Sequence, residues 1–233
     1  MRAHFRETGR EEGEQAMAIT LYAAPRACAL VPYIALREAQ ADFKVVMLDL
    51  GTGEQHKDAY RAINPKMRVP ALAVDGTVLT ENVAVLAWIA HTYPAAQLIP
   101  SEPMAHAQAL SLMAWFASAI HPALTAMSRP ALFCDLPETA ERVKHLAQVR
   151  LASAFDVAER RLAAREWFFE TFGTADAYFF WCVRRAGQLG MDFSAYPNCL
   201  AHFERVTRRP STQKVLAHEA DVLQARALQT RHA

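Results

Sequence analysis

The sequence predicts a small α/β domain followed by an all-helical domain, and three observations carry that expectation. Strand and helix signals alternate as far as Tyr93, and strand signals nearly vanish beyond it. Pro94, Pro100 and Pro103 mark a linker at the change. The composition, 52% hydrophobic and 21% charged over 233 residues, holds enough apolar material for one large or two small cores and too much for disorder.

The elements follow in order. Ile19 to Ala23 reads as a strand and Cys28 to Ala39 as a helix. Phe43 to Leu48 is a second strand, rich in β-formers. Lys57 to Ile63 is a short helical turn ending near Asn64-Pro65. Val69 to Val74 and Thr77 to Leu79 are strands three and four, and Asp75-Gly76 between them is a strong hairpin signal. Glu81 to His91 returns as a helix with Val83, Leu86, Ala87 and Ala90 on one face. The order is βαβαββα. Helices are then expected over Ala105 to Ala126, Glu138 to Leu162, Ala175 to Ala186 and Asn198 to Arg208, with a last short one from Pro210. The domains expected are residues 17–98 and 104–225.

Residues 1–16 carry seven charges and no apolar run, so they do not form a secretory signal. They read as a disordered tail, or as sequence upstream of a start at Met17. No targeting segment is visible and the expected compartment is the cytoplasm. A net charge of +1 argues against a dedicated nucleic-acid binder. No charged residue occurs between Glu102 and Arg129. The strongly apolar centre of that stretch, Ala109 to Ile120, is short for a bilayer, and His106, Gln108, His121 and Pro122 interrupt the rest. A buried core helix is expected there, not a membrane span.

None of Cys28, Cys134, Cys182 and Cys199 lies at zinc-ligand spacing, so no metal is expected. Cys182 and Cys199 sit in apolar helical settings, as buried small residues do. Cys28 differs. Pro32 is tolerated only near a helix start, which puts Cys28 at the junction between the first strand and the first helix. Unpaired N–H groups and the dipole there favour a thiolate, either of Cys28 or of a ligand it donates to. A small residue tucked under the turn fits equally well.

Two further segments invite chemistry. Pro70 opens an apolar strand and is either an edge start or a cis-proline turn. A cis bond would free the Val69 backbone to pair with an extended peptide. Glu81 and Asn82 stand where the fourth strand meets a helix. They suit an α-amino acid head group, but taken singly each residue reads as ordinary helix capping, by Thr80 or Asn82. Three sites for a thiol, a peptide backbone and an amino acid head, at successive ends of one βαβ…ββα unit, together match the three parts of glutathione.

The segments LYAAPRACALVPYIALREA, NPKMRVPAL, LTENVAVLAWIA, FGTADAYFFW and YPNCLAHFERVTRRP resemble the glutathione S-transferase family, most closely the bacterial beta class. The resemblance runs from Met17 to about Asp221. It implies a thioredoxin-like N-terminal domain, a helical C-terminal domain, a homodimer and a detoxification role. It makes Cys28 the active-site cysteine, Val69 and Pro70 the backbone-pairing residue and cis-proline, and Glu81 and Asn82 the pair holding the γ-glutamyl end. His121 matches a histidine facing the site, and Trp115 and Phe116 are expected in the electrophile pocket. Ala29, Gly53, Ala114 and Pro122 replace polar residues common in the family, and Ala23 offers no tyrosine-type hydroxyl. Each lost contact weakens glutathione binding by about 1 kcal/mol. Gly173 replaces the usual Ser/Thr cap before Asp176, whose carboxylate can still bond the Gly173 N–H.

The activity implied is conjugation of glutathione, as co-substrate, to a small hydrophobic electrophile. The rival readings are Cys28-dependent thiol–disulfide exchange or deglutathionylation, and a non-catalytic binding or assembly protein on the same fold.

Overall fold

Strand β1 (Ile19–Ala23) alternates buried Ile19, Leu21 and Ala23 with partly exposed Thr20 and Tyr22, the two-residue period of a strand facing a core. The computed structural model describes residues 17–232; the expected tail or upstream segment, residues 1–16, lies outside the described residues. β1 pairs in parallel with β2 (Lys44–Met47) across helix α1 (Leu30–Glu38), and antiparallel with β3 (Ala71–Val74). The one-turn helix α2 (Asp58–Arg61) lies between β2 and β3. β4 (Thr77–Thr80) pairs antiparallel with β3 across the Asp75-Gly76 turn, where both residues have positive φ. The strand order is β2-β1-β3-β4. With helix α3 (Asn82–Thr92) this is the expected thioredoxin-like βαβαββα unit.

The helical half begins with α4 (Pro103–Trp115), capped by Glu102, whose carboxylate accepts from the Met104 and Ala105 N–H groups. One unbroken helix was expected through Ala126. Instead α4 passes through a π-helical turn, Phe116–Ile120, into α5 (His121–Ser128). Pro122 is the physical reason: it lacks an N–H and its ring crowds the preceding turn, so the ladder widens just ahead of it. The stretch 103–128 is long and apolar enough to cross a bilayer by composition. Here it packs on α6 (Ala140–Leu162) and α7 (Thr174–Gln188), burying Ala109, Met113, Phe116, Ile120 and Leu124.

Helix α7 is the centre of the packing. Its residues Thr174 to Val183 are all buried. Phe116, Phe168 and Phe179 meet there with ring centroids 5.1–5.7 Å apart. Asp176, fully buried, accepts from the backbone N–H groups of Gly173 at 2.9 Å and Phe168 at 3.0 Å, and bonds His202 Nε2 of α8 (Pro197–Thr207) at 2.9 Å. Glycine at 173 has a steric cause. A Cβ there would come within 2.6 Å of the Leu98 carbonyl oxygen.

The last helix was expected to be short. It is α9 (Pro210–His232), 23 residues, and it crosses back over the α/β half. Arg209, just before it, pairs with Glu38 of α1 at 2.7 Å, and Arg226 donates to the Met47 carbonyl at 2.9 Å. These partners are remote in sequence, so local periodicity carried no sign of the contact.

Candidate active site

The β1–α1 turn presents Cys28. It is held from the helical half through the two peptide groups that flank Arg26. Glu219 of α9 accepts the Arg26 N–H at 2.7 Å, and Trp181 of α7 donates its indole N–H to the Arg26 carbonyl at 3.2 Å. Arg26 has φ 63°, a left-handed conformation that a residue with a Cβ rarely adopts without such support. Glu219 is itself paired with Arg184.

Cys28 lies two residues before α1, with its sulfur 3.6 Å from the Val69 carbonyl. Only 8% of the residue is exposed. Burial pushes its thiol up to about 12, against the opposing pull of its own backbone N–H and the Asn82 amide. A low-pKa thiolate at Cys28 was one of the two expectations. Desolvation outweighs the helix end, leaving a neutral thiol that can donate.

The loop before β3 is tied by its own side chains. Asn64, buried, donates its amide to the Arg68 carbonyl at 2.7 Å, and the Tyr60 hydroxyl donates to the same oxygen at 2.7 Å. The Val69–Pro70 bond is cis. Val69 and Pro70 border the cleft beside Cys28.

At the head of α3 no side chain caps the helix, contrary to the capping expected of Thr80 or Asn82. Glu81 is the N-cap residue, with φ 72°, and its carboxylate pairs with Lys66 Nζ at 2.7 Å. Asn82 is buried and donates to the Cys28 carbonyl at 3.1 Å, while its Oδ1 is buried without a partner among the described residues. The uncapped helix end beside the cleft leaves backbone N–H groups for a ligand.

His121 faces the same cleft at the start of α5, its ring 4.6 Å from that of Trp181. Burial, with Arg68 nearby, brings it down from 6.5 to about 4, so the imidazole is neutral at physiological pH. Trp115 and Phe116 are not in the cleft. Phe116 is fully buried among Phe168, Tyr178 and Phe179, and Trp115 lies beside α6 with Gln108 and Val157. Helical phase explains the correction: residues four before and four after His121 share its face, and those are Ala117 and Thr125. Phe116 and Trp115 project instead toward the core and α6.

Thus Cys28, Val69, Pro70, Glu81, Asn82 and His121 line one cleft of about 360 Å³. It opens into a second space of about 570 Å³, bounded by Arg26, Arg68, Leu124, Leu132, Trp181 and Arg185 among others. The sequence reading missed Lys66, Tyr178 and Trp181. Lys66 lies inside the NPKMRVPAL segment, and its charge beside the proline turn was the available signal. Tyr178 and Trp181 stand inside an all-apolar run of α7, where nothing local separates core from cleft wall. Among the described residues no group of three or more His, Cys, Asp or Glu is placed to hold a metal ion.

The chain matches the family model of the glutathione S-transferase N-terminal domain over residues 17–91 and that of the C-terminal domain over residues 137–205. It is 31% identical over 203 residues to the glutathione S-transferase GstA of Escherichia coli O157:H7, covering 85% of this chain and 98% of the relative. A glutathione transferase homologue from Sulfitobacter, solved with bound glutathione, superposes with TM-score 0.81 at 32% identity, over 86% of this chain and 98% of that one. The beta class glutathione S-transferase of Sphingomonas chungbukensis gives TM-score 0.77 at 32% identity, over 86% and 98%. Two matching domains in the right order, with relatives aligned over nearly their whole length, lead to one conclusion: the chain belongs to the glutathione S-transferase family.

Proposed function

We propose that this chain conjugates glutathione to a small electrophile, with glutathione laid along Val69 and Pro70 and its sulfur at Cys28. The observation carrying the reading is the single cleft lined by Cys28, Val69, Pro70, Glu81, Asn82 and His121. The uncapped α3 N-terminus suits the γ-glutamyl carboxylate. Glu81 is already paired with Lys66, so an incoming ammonium group shares that carboxylate.

In this reading Cys28 donates its S–H to the glutathione sulfur and stabilises it as the thiolate. The thiolate then attacks the electrophilic carbon: a carbon–sulfur bond forms, the leaving group departs with its electron pair, and the thiol proton passes to solvent. Holding both reactants in one cleft supplies much of the rate gain. The raised Cys28 thiol supports a donor over a nucleophile, and so conjugation over disulfide exchange.

The test is calorimetry with glutathione, together with conjugation of chlorodinitrobenzene. Binding with turnover is expected. Absence of both at millimolar glutathione, from an intact fold, favours the binding or assembly reading instead. The same proposal takes the chain as a cytoplasmic homodimer in detoxification. Exposed Val78, Met104, Leu146 and Val149 support a partner surface, and sedimentation as a stable monomer counts against it.

A further inference from the structure

The space beyond Cys28 has an unusual wall. Arg26, Arg68, Arg129 and Arg185 line it with His56 and His121, and among the described residues no aspartate or glutamate does. Other arginines are paired: Arg184, adjacent to Arg185, with Glu219, and Arg209 with Glu38. Arg26, Arg129 and Arg185 make no ion pair among the described residues. They come from three separate elements, the β1–α1 turn, the end of α5 and α7, so only the tertiary fold gathers them.

Their crowding is physical. Burial, then the charges of Arg26, Arg129 and Arg184, hold the Arg185 guanidinium below its ordinary value. Like charges gathered around partly buried Arg185 repel until a counter-charge arrives, and a cleft lined by one sign of charge concentrates anions. A neutral electrophile gains nothing from them. The apolar part of the same wall, Leu124, Leu132 and Trp181, would hold a ligand's body. Arg68 adjoins Val69, on the side where the tripeptide is proposed to lie, and is left to glutathione.

We propose that the second substrate is an anionic electrophile, an apolar body ending in a carboxylate, whose acid group is held by Arg26, Arg129 and Arg185 while its reactive carbon faces the glutathione sulfur. This rests on the transferase reading and names the substrate class for it. With a chloroaromatic acid the glutathione sulfur bonds the chlorine-bearing carbon, chloride leaves with the bonding pair, and the carboxylate is unchanged. Planar guanidinium groups match a carboxylate in a way lysines do not.

The experiment compares 4-chloro-3-nitrobenzoate with its methyl ester, each rate divided by its uncatalysed rate. The wild-type chain is expected to prefer the acid. Arg129→Gln with Arg185→Gln should reduce the acid-to-ester ratio of kcat/KM by about tenfold or more, and 0.5 M salt should erode the ratio in the wild type. The single variant Arg129→Gln, at an exposed position, guards against a folding defect. Equal losses on acid and ester overturn the proposal, as does a wild-type preference for the ester. A raised KM for glutathione with the ratio intact assigns the arginines to glutathione and also overturns it. If neither probe nor chlorodinitrobenzene is conjugated, the transferase reading itself fails. Calorimetry of the acid alone still decides the anion site: binding lost in the variants supports it, and no binding to the wild type refutes it.

Discussion

Cys28 should resist alkylation. Its thiol is pushed up to about 12 from an ordinary 9.0, chiefly by burial. That shift leaves about a thousandfold less thiolate at neutral pH, a fraction on the order of one in 100,000. The assay is iodoacetamide labelling of the free enzyme, resolved peptide by peptide so that Cys28 is followed apart from half-exposed Cys134. The Cys28 rate should rise tenfold per pH unit through pH 9 and show no plateau. A plateau below pH 9, or labelling at pH 7 as fast as Cys134, would falsify the desolvation argument and restore the nucleophile reading. The corresponding kinetic expectation follows from the donor role. Cys28→Ala should retain part of the conjugation activity, losing about 10–100-fold, the worth of one hydrogen bond to a charged sulfur. Disulfide exchange through Cys28 would be abolished outright.

Three further predictions concern the surroundings of the site. His121 titrates near 6.5 when unfolded and near 4 when folded, because burial disfavours its cation. The unfolded chain thus takes up the proton first, and stability is lost as pH falls from about 6.5 to 4, by on the order of 3 kcal/mol. His121→Gln should show a shallower loss across that window in urea melts, and identical slopes would sink the idea. Gly173→Ser, which installs a cap common in the family, should destabilise by about 1–3 kcal/mol, since its Cβ would meet the Leu98 carbonyl at 2.6 Å. That oxygen already accepts the Thr174 N–H at 2.8 Å and cannot easily withdraw, so a more stable serine variant is the contrary result. Glu219→Ala removes the acceptor of the Arg26 N–H and the partner of Arg184. A cost on the order of 3 kcal/mol is expected, with faster Cys28 labelling as the turn loosens. Unchanged labelling would show that the turn holds itself.

Much of the fold was legible because its signals are local. The Asp75-Gly76 hairpin, the β-formers of β2 and the helical stripe of α3 each depend on residues within a few positions. The proline pair was legible for a similar reason. Pro32 limits where α1 can start, and Pro70 limits what kind of strand can begin after it. The errors have two causes. The length of α9 and the fate of Trp115 and Phe116 depend on what lies across the molecule, while the π turn follows from Pro122 close by in the chain. An aromatic in an apolar helix carries no local mark of whether it faces a core or a cleft.

The sequence by itself determined the two-part architecture, because turn chemistry and proline geometry act within the chain's own neighbourhood, and its resemblance to the glutathione S-transferase family pointed to residues that line one cleft. Tertiary structure decided what those residues are. Burial turned Cys28 from a candidate thiolate into a neutral donor and His121 into a neutral imidazole, and desolvation exists only once other elements exclude water. It also decided the charge of the cleft. A chain with net charge +1 gathers three arginines from three elements in one wall, and only folding brings them within reach of the same ligand.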